Sequence, residues 1–279
     1  MEIITIDAHQ HFWHFDPVRD SWITDDMRAI RADFTPYDIY RELRENDVAG
    51  CVAVQADQSE QETAFLVDIA ERHEFVRGVV GWVDLTSPFL AQRLAFYHRT
   101  APKVKGFRHI VQAEPDDEFL LREEVSRGIG QLRSFGYSFD LLVYPRQLPA
   151  AIRLTEKFPD QRFVLDHLAK PDIAHQTLEP WATQIKILAR HPNVYCKLSG
   201  MVTEADWKNW TPATMQPYLD VAFEAFGPGR LMFGSDWPVC LLAANYSQVK
   251  ALVANYLKQC SADEQAAVMG GNAITFYQL

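Results

Sequence analysis

Ile3-Ile4-Thr5-Ile6-Asp7-Ala8-His9-Gln10-His11 carries four apolar or β-branched residues straight into a histidine, a spacer and a second histidine. Such a run predicts a buried strand over Ile3–Asp7. In extended backbone, residues two apart share a face, so His9 and His11 leave the strand end together. Two imidazoles on one side form a natural pair of metal ligands or polar reaction groups. Taken alone, the pair reads first as two surface histidines at a strand end, so its meaning depends on what later strands bring to it.

Seven further apolar runs predict strands over Cys51–Gln55, Val76–Trp82, Lys103–Phe107, Ser138–Val143, Arg162–Leu165, Val194–Leu198 and Leu231–Gly234. Helix-start signals lie between them. Thr35-Pro36 with Asp38, Ser87-Pro88 and Thr211-Pro212 combine a capping residue with proline in the first turn. Ser59 with Glu62 reads as a capping box for a helix to about His73, and Ser261 with Glu264 opens a short one stopped by Gly270-Gly271. The strands are continuously apolar, as expected where both faces are covered. Eight such units in roughly 230 residues fit an α/β fold of one kind best, a closed (β/α)8 barrel. Residues 1–279 read as a single domain without linker or low-complexity tract. No G-x-G-x-x-G or Walker sequence follows a strand, which speaks against nucleotide binding.

A formal net charge of −10 over 279 residues argues against a general nucleic-acid binder, which needs clustered Lys and Arg. Cys51, Cys196, Cys240 and Cys260 are scattered without metal or redox spacing, as small buried hydrophobes are. Without a leader-like or membrane-length apolar run, the expectation is a cytoplasmic protein with no membrane partner.

In a barrel, chemistry belongs at the C-terminal ends of strands. Those ends carry His9 and His11; Gln55 and Asp57; Trp82 and Asp84; Arg108-His109; Asp140 and Tyr144; Asp166-His167; Lys197 and Ser199; and Ser235-Asp236-Trp237. His9, His11 and His167 supply nitrogen donors, and Asp236 a carboxylate, suited to one divalent ion such as Zn²⁺. The segment Trp13–Arg31 follows the first strand and so is expected to lie over the barrel mouth.

D-A-H-Q-H-F-W at the start, D-H-L-A-K-P after strand six and F-G-S-D-W-P after strand eight together resemble the amidohydrolase superfamily. V-V-G-W-V-D-L (Val79–Leu85), G-F-R-H (Gly106–His109), C-K-L-S-G-M-V-T-E-A-D-W (Cys196–Trp207) and G-G-N-A (Gly270–Ala273) are similar to its sugar-lactonase branch, the L-fuconolactonase and L-rhamnonolactonase type. The resemblance implies a distorted (β/α)8 barrel and a hydrolase that opens L-fucono-1,5-lactone or a related aldonolactone, within carbohydrate metabolism such as L-fucose degradation. Its two-metal members use a lysine from strand four and a histidine from strand five. Here strand four ends in Arg108-His109, strand five offers Asp140 and Tyr144, and Lys105 lies inside its strand. At most one divalent metal is therefore expected, zinc by its donors, and some relatives of this branch need none.

For lactone opening, Asp236 is the expected general base, with Arg108, His109 or Lys197 meeting the oxyanion. Arg108 and Lys197 also suit a carboxylate product or ring hydroxyls, or else a salt bridge. Trp13, Trp82 and Trp237 are candidates for the C–H face of a sugar ring, or they close the barrel top. Gln55 and Tyr144 are candidates for hydroxyl contacts, and the resemblance adds Glu204 and Trp207. His14, His73, His98, His175 and His191 lack a comparable constellation. Two rivals share the metal cluster or the barrel: a metal-dependent aromatic-acid decarboxylase, which releases CO₂, and a non-catalytic sugar-acid binding protein.

Overall fold

The computed structural model describes residues 4–279, so Ile3, the expected first residue of the opening strand, lies outside the described residues. Strands β1 (Ile6–Gln10), β2 (Gly50–Val54), β3 (Val76–Gly81), β4 (Val104–His109), β5 (Ser138–Leu141), β6 (Phe163–Leu165), β7 (Val194–Leu198) and β8 (Leu231–Phe233) form one sheet in sequence order. Every neighbouring pair is parallel. Parallel neighbours need crossovers, and helices α1 (Pro36–Glu45), α2 (Glu60–Arg72), α3 (Leu90–Thr100), α4 (Glu123–Leu132), α5 (Leu148–Lys157), α6 (Trp181–Leu188) and α7 (Pro212–Phe226) supply them in turn, with α8 (Tyr246–Tyr256) after β8. This is the (β/α)8 barrel that the apolar runs predict.

The barrel closes through a short seam rather than a full ladder. Asp236 N–H donates to the His9 carbonyl at 2.8 Å, and His11 N–H donates to the Trp237 carbonyl at 2.7 Å. Because β1 pairs with β2 on one side and this seam on the other, it runs to Gln10, three residues beyond the expected end. Likewise β4 extends through Arg108 and His109, which pair with Asp140 and Leu141 of β5.

Alternation along the strands sorts the core into two layers. Cys51, Ala53, Phe107, Phe139, Leu141, Leu198 and Phe233 face the helices. Ile6, Ala8, Val52, Val54, Val80, Val164 and Met232 fill the barrel interior against Phe276 and Tyr277 of the last helical turn, Asn272–Tyr277. Nearer the C-terminal ends the interior turns polar, with His9, Gln55, Arg108, Asp140 and Lys197 all buried.

The capping signals at Thr35, Ser59, Thr211 and Ser261 each open a helix. At Ser87-Pro88 the helix starts later, at Leu90, with the Ser87 hydroxyl accepting from Phe89 N–H. Gly270-Gly271 is not a stop, since a helical path continues from Ala267 to Tyr277. A Cβ at Gly270 would lie 2.0 Å from the Ile4 carbonyl oxygen, so glycine serves close approach to the entering chain there. Cys51, Cys196 and Cys240 are buried free thiols, as expected, while Cys260 is half-buried. Among the described residues no helix is long and apolar enough to cross a membrane.

Candidate active site

The pairing register of β1 shifts between Asp7 and Gln10. Irregularities of this kind re-aim side chains. Ala8 packs in the barrel interior, and the next residue, His9, also meets interior polar groups. The Asp7 carboxylate points the other way and accepts from Ser235 N–H (2.8 Å), Ser235 Oγ (2.6 Å) and Tyr246 OH (2.9 Å). It thereby holds the loop after β8 against β1. Burial raises the Asp7 pKa to about 6 against the pull of these donors.

That loop delivers Asp236, at φ 58°, to the histidines. Its Oδ1 lies 3.4 Å from His11 Nε2 and 3.8 Å from the Nε2 atoms of both His9 and His167. His9 Nε2 and His11 Nε2 are 3.2 Å apart. Donors around a tetrahedral zinc with bonds near 2.0–2.1 Å are separated by about 3.3 Å, so His9, His11 and Asp236 have the spacing of a single-ion site. His167 shares an overlapping candidate group with His9 and Asp166. His11 Nδ1 contacts the Val54 carbonyl at 2.8 Å and His167 Nδ1 contacts Ser199 Oγ at 2.8 Å, which leaves both Nε2 atoms for the centre. Burial lowers the His9 pKa well below the usual value, and burial takes His167 to about 4 although Asp236 and Asp166 oppose it. Both shifts favour the neutral imidazole, the form that a metal ligand requires. Burial raises the Asp236 pKa, but His167, His11 and His9 outweigh it and hold the carboxyl below its usual range.

His167 enters through an unusual backbone. His167, Leu168, Ala169 and Lys170 all have φ between 52° and 59°. Left-handed conformation costs non-glycine residues roughly 1–2 kcal/mol each. Gly200, at φ 67°, makes room for it, because a Cβ there would lie 2.6 Å from His167 Nδ1.

Beneath the histidines lies a buried ion-pair network. Asp166 contacts Arg108 Nη1 (3.0 Å), Lys197 Nζ (3.0 Å) and His9 Nδ1 (3.4 Å). Lys197 also binds Asp140 at 2.6 Å, and Tyr277 OH donates to the same carboxylate at 2.7 Å. Burial opposes ionisation of Asp166, yet Lys197, His9 and Arg108 hold its pKa well below the usual value. The guanidinium of Arg108 reaches His9 Nε2 at 3.3 Å and donates to the Gln55 carbonyl, while Gln55 Nε2 donates to the Arg108 carbonyl at 3.2 Å. Lys197 thus serves in ion pairs, and Gln55 secures Arg108.

A cavity of about 250 Å³ opens above this centre. His11, Arg108, Gln112, His167, Lys170 and Asp236 form its polar part, and Trp13, Trp22, Ile110, Leu142 and Val239 its apolar wall. The segment after β1 therefore does cover the mouth. Other expected residues lie outside that lining. His109 faces away, its Nε2 2.7 Å from Glu114 and its ring stacked on Phe119, with Trp82 Nε1 donating to it at 3.4 Å. Trp237 packs edge-on against Phe34, and Trp207 Nε1 donates to the Thr203 carbonyl at 2.9 Å. Tyr144 and Glu204 meet Lys170 instead, whose ammonium is 5.9 Å from the Tyr144 ring and 3.2 Å from Glu204. Lys170, Asp7 and Trp22 are the residues that sequence reasoning missed, and Asp166 stood among the strand ends without a role. For Asp166 and Lys170 the signal was their place in D-H-L-A-K-P, beside His167.

The family model for Amidohydrolase matches residues 6–279. The chain is 40% identical to an L-fucono-1,5-lactonase of Burkholderia multivorans, covering 100% of this chain and 97% of that one. It is 38% identical to an L-fucono-1,5-lactonase of Burkholderia ambifaria, covering 98% and 95%. A crystal structure of an amidohydrolase from Burkholderia multivorans with bound zinc superposes with a TM-score of 0.96 at 39% identity, covering 99% of each chain.

Proposed function

We propose, from the premise that this chain belongs to the amidohydrolase family, that it is a carboxylic-ester hydrolase opening the lactone ring of a sugar acid, with L-fucono-1,5-lactone foremost. The carrying observation is the approach of Asp236 Oδ1 to the Nε2 atoms of His9, His11 and His167 at the floor of a small cavity. Ligand pockets commonly span about 300–1,000 Å³, so a cavity near 250 Å³ suits one small ring. Its apolar wall suits the C–H face of that ring.

Asp236 takes a proton from a water as the water oxygen bonds to C1 of the lactone. The electron pair of the carbonyl moves to its oxygen, where Arg108, the one network cation that also lines the cavity, faces it. Collapse breaks the bond between C1 and the ring oxygen, and Asp236 returns its proton to the departing alkoxide. The product acid then loses its proton to water. His11 and His167, each engaged through Nδ1, orient the reacting water and carbonyl through Nε2.

His9, His11 and Asp236 would hold a divalent ion, zinc by donor type, with His167 alongside. Bound there, such an ion supplies Lewis acidity and lowers the pKa of coordinated water. The titration of a panel of five- and six-carbon aldonolactones, followed by proton release before and after chelation, tests the proposal. Turnover of at least one lactone is expected. No turnover of any would overturn it, and CO₂ release from an aromatic acid would favour a decarboxylase.

A further inference from the structure

Ring opening turns a neutral ester into an aldonate, so a second carboxylate arises in the cavity that already holds Asp236. Like charges at close quarters in a water-poor site demand a facing cation. Three cations lie near. Lys197 is fully buried and spent on Asp140 and Asp166. Arg108 is tied to Asp166 and the Gln55 carbonyl. Lys170 lines the cavity with His167 and Asp236, its side chain 18% exposed. Glu204, at 3.2 Å, is its one ion-pair partner among the described residues. An ammonium carries three N–H donors, so Lys170 has donors to spare for a ligand.

The backbone supplies an independent observation. The left-handed run from His167 to Lys170 contains no glycine, and Leu168 and Ala169 within it are wholly buried. Trp181 Nε1 clamps it by donating to the Leu168 carbonyl at 2.6 Å. A strained turn persists where its surroundings over-determine it, and this one brings His167 and Lys170, three residues apart, to the same cavity.

We propose that Lys170 binds the C1 carboxylate of the aldonate product, with Glu204 tuning its availability. This rests on the lactonase reading above. The test is calorimetric binding and product inhibition by L-fuconate, with the uncharged polyol L-fucitol as control, on wild type, Lys170→Met, Lys170→Arg and Glu204→Gln. Lys170→Met is expected to weaken L-fuconate roughly tenfold or more and to shift L-fucitol by less than about twofold. Lys170→Arg retains L-fuconate binding, and Glu204→Gln tightens it by releasing the ammonium. A folded Lys170→Met that binds L-fuconate like wild type overturns the inference. If that variant does not fold, Glu204→Gln with unchanged or weaker L-fuconate binding overturns it instead. Wild type that hydrolyses lactone beside an unaffected Lys170→Met removes the inference alone. Wild type that hydrolyses no lactone removes both.

Discussion

Asp236 and Arg108 both approach His9 Nε2, at 3.8 and 3.3 Å, and differ in what their removal should do. Asp236→Asn keeps the size and backbone of the loop but removes the proton acceptor. We expect kcat to fall by at least about 10²–10⁴-fold while the melting temperature stays within a few degrees, read by lactone turnover and thermal melts. Turnover near wild type would take Asp236 out of the base role. Arg108→Met strands part of the charge on Asp166, which then relies on Lys197. Breaking a buried pair from one side costs about 3–5 kcal/mol, so the low end of that range should appear in urea unfolding. Arg108→Lys should not restore it, because one ammonium cannot span Asp166 and the Gln55 carbonyl as a guanidinium fork does. Unchanged unfolding midpoints would show the network to be dispensable. The residues legible in sequence were those that period-2 geometry governs, His9 and His11 above all. The same geometry separates Arg108 from His109, since neighbours on a strand face opposite ways. Arg108 turns inward to Asp166, and His109 turns outward to Glu114.

Among the elements, the seam between β1 and the loop after β8 both closes the barrel and places the centre. The backbone bonds of His9 and His11 to Asp236 and Trp237 set the separations of the very side chains that face one another. The strands were legible from their apolar runs, but the end of β1 was set by these partners, which local sequence does not encode. The left-handed turn after β6 was equally hidden, because no glycine marks it. Its marker lies in the next unit, at Gly200. Gly200→Ala must place a methyl on His167 at a φ of 67°, so a loss of about 2–3 kcal/mol and a large fall in kcat/KM are expected. Gly136→Ala is the control, since its φ is 75° but nothing lies within 4 Å of the added Cβ. It should cost only about 1 kcal/mol and leave kcat/KM intact. Equal loss of activity in both variants would refute the specific role of Gly200.

At the scale of the whole molecule, eight apolar runs separated by helix caps were enough to predict the barrel, because every strand is covered on both faces. What they could not predict was how many ionisable groups the barrel buries, since burial of a charge depends on partners far apart in sequence. One such group adds a pH dependence to global stability that a single substitution can isolate. Glu62, in the first turn of α2, is 7% exposed and accepts from Ala56 N–H at 3.1 Å. Burial raises its pKa from 4.5 to about 7, the hydrogen bond and Arg19 only partly opposing. With the folded value above the unfolded one, the folded state binds more protons between these two pH values. Its contribution to stability is therefore complete below pH 4.5 and is lost as pH rises through 7. The ceiling is about 3 kcal/mol at 1.36 kcal/mol per unit. Glu62→Gln keeps an oxygen for Ala56 N–H but cannot ionise. Its melting temperature relative to wild type should therefore climb by a few degrees between about pH 4.5 and 8. Parallel melting curves across that window would mean that Glu62 finds a compensating partner on ionising.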